Sequence, residues 1–180
     1  MACNPLSKLA RECGKNTVAG MNDDVYLVAF DSLAPISGST EVYTTSAGGL
    51  ISAIGFQSGS TKFVKYSATK NQNTISETYA MAETGAYDIT KTLTFTLGNL
   101  GSLVAKTAVE NLIANPVAVL TKLKNGSWVA FGLNGQFSMS GTEGSIATGA
   151  NQRVVTLTGM DSEFLQVVDP TVVSSFLSLV

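Results

Sequence analysis

A chain of 180 residues with 44% hydrophobic content has enough apolar material for one packed domain, which excludes wholesale disorder. Only 13% of the residues are charged, and with a net charge of −2 and no basic stripe, tight binding of nucleic acid through phosphate neutralisation is excluded. Ser, Thr, Asn and Gly supply the polar surface instead, and neutral surface costs less to desolvate than charge, which suits burial against neighbouring molecules.

The opening stretch MACNPLSKLARECGKN has no apolar core of a secretory leader, so the sequence predicts residence in the cytoplasm. No apolar run reaches the roughly 18 residues a membrane helix needs. Residues 1–24 read as an N-terminal arm, with a turn of helix near 6–13, and residues 25–180 as a single β-rich domain. Cys3 and Cys13 are the only cysteines, and a reducing compartment favours free thiols over a disulfide.

The first strand is predicted at 25–30 (VYLVAF), a short run of β-formers. Residues 32–60 hold repeated glycines and read as a mobile loop, with short strands at 41–45 and 50–56. Period-two alternation then dominates. Ile75, Glu77, Tyr79 and Met81 alternate with Thr74, Ser76, Thr78 and Ala80. After a turn at Glu83-Thr84-Gly85, Tyr87, Ile89, Lys91, Leu93, Phe95 and Leu97 alternate with Asp88, Thr90, Thr92, Thr94 and Thr96. This predicts a long antiparallel hairpin with one apolar and one hydroxyl face.

From 101 to 114 the period becomes helical, with Val104, Ala108 and Leu112 on one row and Ala105, Val109 and Ile113 on the next. Asn99 or Ser102 can cap the start, and Asn115-Pro116 ends the helix. Leu93, Phe95 and Leu97 are expected to pack against Val104, Ala108 and Leu112. A second hairpin follows at 117–123 and 127–133, turning at Lys124-Asn125-Gly126. Short strands are expected at 136–140, 152–159 and 163–168, with a glycine-rich loop at 141–151. After Asp169-Pro170 the tail reads as a short helix or an added strand.

Chemistry is sparse. The chain has no histidine, which removes the commonest general base and a standard zinc ligand. Asp23-Asp24 reads as a solvated strand start, and Asp161, Glu163 and Asp169 lack the dense oxygen ligands of a calcium loop. The glycine-rich stretches lack the context of a phosphate loop. Cys13 beside Arg11 and Lys15 has no acid–base partner, Trp128 reads as core, and Lys62, Lys65 and Lys70 as a solvated strand edge. No catalytic, cofactor-binding or metal-binding residue emerges, and the sequence predicts a protein that is not an enzyme.

From Tyr87 onward the order of elements is recognisable: YDITKTLTFTLGNL, then LGSLVAKTAVENLIAN, VAVLTKLKNGSWVAFGL and GTEGSIATGANQRVVTLTGMD. Over about two-thirds of the chain this resembles the tail tube proteins of tailed bacteriophages. The resemblance implies a β-sandwich or half-barrel flanked by one helix. It implies hexameric rings whose inner strands form a continuous barrel, stacked into a tube that conducts DNA. Head–tail connector rings have a related fold. The implied partners are copies of the chain itself, neighbouring tail or head–tail connector proteins and, transiently, DNA; the implied location is the virion. In such a ring the apolar hairpin face is committed to the helix, which leaves Ser76, Thr78, Asp88, Thr90, Thr92 and Thr94 to line the bore. Residues 32–60 or the N-terminal arm would make the contacts that order on stacking. The alternative reading is a capsid decoration protein or a β-sandwich module that binds a surface glycan.

Overall fold

The structure, a computed structural model, describes residues 20–70, 72–81, 87–147 and 150–178. Most of the N-terminal arm, both cysteines and the Glu83-Thr84-Gly85 turn therefore lie outside the described residues. Among the described residues the chain is mainly β, in two sheets with two short α-helices.

Strand β1 (Met21–Ala29) starts four residues before the expected position, because Met21 already pairs with Leu123. Strands β2 (Tyr43–Thr45), β3 (Ile51–Ile54) and β4 (Val64–Ser67) follow. The long strands come next, β5 (Thr74–Met81) and β6 (Tyr87–Gly98), paired antiparallel along all of β5. Helix α1 (Leu103–Ala114) leads into the hairpin β7 (Val117–Leu123) and β8 (Trp128–Phe131). Strands β9 (Ser138–Ala147) and β10 (Ala150–Asp161) pair over nearly their whole length. The expected loop at 141–151 is thus mostly strand, since its Thr, Ser and Ile residues alternate across the glycines and find ladder partners on β10. Strand β11 (Gln166–Val168) and the one-turn helix α2 (Val173–Phe176) close the chain. The tail thus provides the short helix, and beyond α2 Leu177 makes a single parallel bridge to Phe63.

One sheet has seven strands in the order β2-β3-β11-β8-β7-β1-β4, and the other has four in the order β5-β6-β10-β9. Alternation assigns each side of the larger sheet to its own core. Val25 and Leu27 of β1, Val117 and Val119 of β7 and Phe131 of β8 meet Leu93, Phe95, Leu97, Val155 and Leu157 of the smaller sheet, with Val109 and Leu112 of α1. Val28, Ala118, Leu120 and Ala130 point the other way, onto Leu33, Val42, Ile51, Ile54, Phe63, Val173 and Phe176. Residues 32–60 carry the two short strands expected within them, as β2 and β3, and these cover the second face of the larger sheet, which would otherwise expose a full apolar surface.

Strands of the larger sheet run across those of the smaller one. Val117, at the start of β7, bonds Phe137 beside β9, while Leu123 at its end lies in a groove with Thr74 and Ile75 of β5.

Helix α1 flanks this sandwich with Ala108 and Leu112 of the expected row facing it, but Val104 does not, and Ala105 and Val109 of the next row take its place. Val109 and Leu112 are buried and Ala105 and Ala108 half-buried, whereas Val104 is 78% exposed. The buried stripe runs 105, 108, 109, 112, the spacing of one helical face, and Val104 sits about 100° to its side. Ser102 takes the cap position with extended backbone, but its side chain makes no capping bond.

Candidate functional site

The four-stranded sheet places all six bore candidates on one face. Residues directly opposite on paired strands project to the same side. Thr74, Thr94 and Thr156 form one row across β5, β6 and β10; Ser76, Thr92, Thr158 and Ser138 form the next, reaching β9. Thr78, Thr90 and Met160 form a third, and Asp88 stands opposite Ala80 at the end. At the β9 bulge Ser140 joins the hydroxyl network, its Oγ lying 2.9 Å from the Thr158 hydroxyl and donating to the Thr156 carbonyl at 3.2 Å. Sequence reasoning placed Thr74 on the hydroxyl face of the hairpin without counting it as a bore candidate, and missed Thr156, Thr158, Ser138 and Ser140 as members of this surface. The alternation of Thr156 and Thr158 was visible, but the register that aligns them with Thr94 and Thr92 joins residues more than sixty positions apart.

Charge on this face is confined to Asp88 and, opposite Val154, Glu143. Both cations of the four strands, Lys91 and Arg153, have the opposite parity. The other face is apolar and buried at Ile89, Leu93, Phe95, Val155 and Leu157, so the hydroxyl face is the side turned away from the body of the protein, except at Thr96, which is buried.

Both margins of this sheet are open. Among the described residues β5 pairs only with β6, and β9 only with β10. Neither TISETYAM nor SMSGTEGSIA contains the Lys or Pro that commonly guards an edge; the bulge at Ser140 is the one such device. Each margin carries one carboxylate, Glu77 on β5 and Glu143 on β9.

A cleft of about 1000 Å³ lies between β2 and the Asp88 end of β6. Its polar groups bond one another. Lys91, 2% exposed, donates to Asp161 at 2.9 Å and to the Phe164 carbonyl at 3.3 Å. The Tyr43 hydroxyl donates to Glu163 at 2.7 Å; burial first, then Glu163, holds that phenol well above its ordinary range. Asp169 accepts both the N–H and the hydroxyl of Thr171, whose hydrogen bonds hold its carboxyl below the ordinary range. The structure thus leaves Asp161, Glu163 and Asp169 on separate partners, and among the described residues no three acidic or sulfur ligands converge. Asp24 pairs with Lys65 at the β4 edge, and Trp128 is half-buried against Tyr26 in the second core.

Neither a family model, nor a curated protein, nor a solved structure matches the chain.

Proposed function

We propose that the chain is a self-assembling structural subunit of the tail tube type found in tailed bacteriophages, closing into a ring whose bore passes DNA. The observation that carries this reading is the four-stranded sheet, open at both margins, with a hydroxyl face turned outward and the body of the protein behind it. Its strands alternate in direction, so β5 and β9 run oppositely. A rotation about an axis along the strands preserves direction, and β9 of one copy therefore meets β5 of the next antiparallel. Four strands per copy keep that alternation for any number of copies. Closure removes both open edges with one repeated interface. The body can only lie outside such a barrel, which puts Ser76, Thr78, Thr90, Thr92 and Thr94 in the bore. A wall of hydroxyls with Asp88 and Glu143 and no cation gives phosphate nothing to bind, so DNA slides.

In this reading the partners are further copies of the chain, six in a ring by family resemblance, and the neighbouring tail or head–tail connector proteins. The working location is the virion. Negative-stain microscopy of the purified chain tests the reading: rings or tubes are expected, and a monodisperse monomer at every concentration overturns it. Cysteine introduced at Thr94 in assembled particles should react with a small maleimide and resist one too large for the bore. The exposed Tyr79–Tyr87 pair, with ring centroids 5.7 Å apart, favours a second reading, a surface-binding module; a discrete monomer or trimer that retains a glycan would support it.

A further inference from the structure

The apolar core does not hold the whole length of the β5–β6 pair. On β6 the main core ends at Leu93; Ile89 is buried but belongs to neither cluster. On β5 the last contributor is Ile75, and Thr78, Tyr79, Ala80 and Met81 are all exposed. At the level where core contact stops, the apolar alternation of β6 is interrupted by Lys91. Its ammonium donates to Asp161 at 2.9 Å and to the Phe164 carbonyl at 3.3 Å. Glu77, directly across the ladder from Lys91, accepts the Leu165 N–H at 2.6 Å. Both strands are thereby fastened to the turn 161–165, where the chain passes from one sheet to the other. Glu163 ties the same turn to the larger sheet through Tyr43 and Gln166.

We infer that Lys91, Asp161 and Glu77 form a positioning clasp that sets the angle at which the far half of β5–β6 leaves the body, and so decides whether edge β5 meets edge β9 of the next copy along its full length. This rests on the ring reading for its consequence, though not for its geometry. The lever is simple. Strand β10 stays paired with β6 as far as Ile89, so the free end runs from Ile89 to Tyr87, about 7 Å, and a tilt of about 10° moves it by about 1 Å, enough to stretch an N–H···O bond beyond its usual range. An apolar side chain at position 91 would supply burial without direction. A buried ammonium with two acceptors permits far fewer orientations, and directional pairing of this kind specifies alignment more than it stabilises.

The test replaces the ion pair by apolar groups of similar volume, Lys91→Met with Asp161→Leu, a change that buried pairs commonly tolerate without loss of folding. Cys3 and Cys13 are changed to Ser, and spin labels are placed at positions 80 and 125 of the unassembled subunit. The unaltered clasp should give one narrow distance distribution and the double variant a broad one. The threshold concentration for rings should rise at least about tenfold, which corresponds to about 1.4 kcal/mol. An unchanged distribution, or an unchanged threshold, overturns the inference. If the double variant does not fold, Glu77 gives the same test. Glu77→Leu should broaden the distribution and raise the threshold, while Glu77→Gln, which keeps the acceptor for Leu165, should restore both. Equal behaviour of the two Glu77 variants sinks the clasp. If the wild-type chain forms no rings at all, the ring reading fails, and the distance distributions alone decide the clasp.

Discussion

Helix α1 offers a test in which two substitutions should move stability in opposite directions. Leu112 is 3% exposed in the main core, and Val104, two turns earlier, is 78% exposed. Leu112→Ala removes buried carbons from the main core, and such truncations cost about 2–5 kcal/mol. Val104→Ala loses almost no burial. It relieves a β-branched residue of its lost rotamer freedom in a helix, and should stabilise by a few tenths of a kcal/mol, at most about 0.7. Urea unfolding of the subunit below its assembly threshold, followed by far-UV circular dichroism with m held common to all variants, separates these outcomes. A loss above about 1 kcal/mol for Val104→Ala would mean that Val104 is buried and that the helix is rotated by about one residue, refuting the packing described.

Phe95→Ala should cost about 3–5 kcal/mol in the same assay, because Phe95 is fully buried with Tyr66 against its ring edge. Gly159→Ala should cost about 3 kcal/mol, since an added Cβ would lie 2.6 Å from the Gln136 carbonyl oxygen and 2.8 Å from Phe137 Cα, both backbone atoms. Thr92→Lys with Thr94→Lys should leave rings intact but slow DNA passage, whereas Thr92→Ser should not; equal passage by both would show that this face is not the bore wall. Tyr43 holds its proton more tightly in the folded state than in the unfolded chain, so its contribution is complete below about pH 10 and is lost as pH rises beyond the unfolded value. Tyr43→Phe should flatten that alkaline decline, and a slope identical to wild type would show that Glu163 does not engage the phenol. Amides of Ile51 and Ile54 should be protected from exchange in the unassembled subunit, as expected of buried residues in a paired strand.

Local patterning made the long strands and the helix legible. Threonine alternation located β5 and β6 and assigned their faces, and the change of period located α1. Periodicity alone could not choose between two adjacent helical rows, because both are apolar. Val104 and Val109 look alike in sequence, and only the position of the sheets buries one of them. The two short strands within 32–60 could be read, but not where they pack: β3 lies beside β11 at Val168, and Phe176 joins the same core, both far along the chain. The start of β9 was legible at 136–140, but its continuation beyond Ser140 was hidden by its glycines, which lower strand propensity without forbidding a ladder to a strong partner such as β10. The hydroxyl surface was half visible: one hairpin could be read directly, but its extension onto β10 and β9 depended on register.

The crossed layers have a mechanical consequence. In a closed ring the bore strands run along the channel, so outward pressure from its contents would load the hydrogen bonds between strands, the weaker grain of any sheet. Behind them β7 and β1, antiparallel to each other, span between the β9 and β5 margins, their covalent backbone lying in the direction in which the bore sheet is weakest. Each subunit is in that sense a two-ply laminate, with the outer ply resisting hoop strain and the inner ply resisting stretch along the axis. The two plies can share a load only as far as the core and the 161–165 turn bond them together.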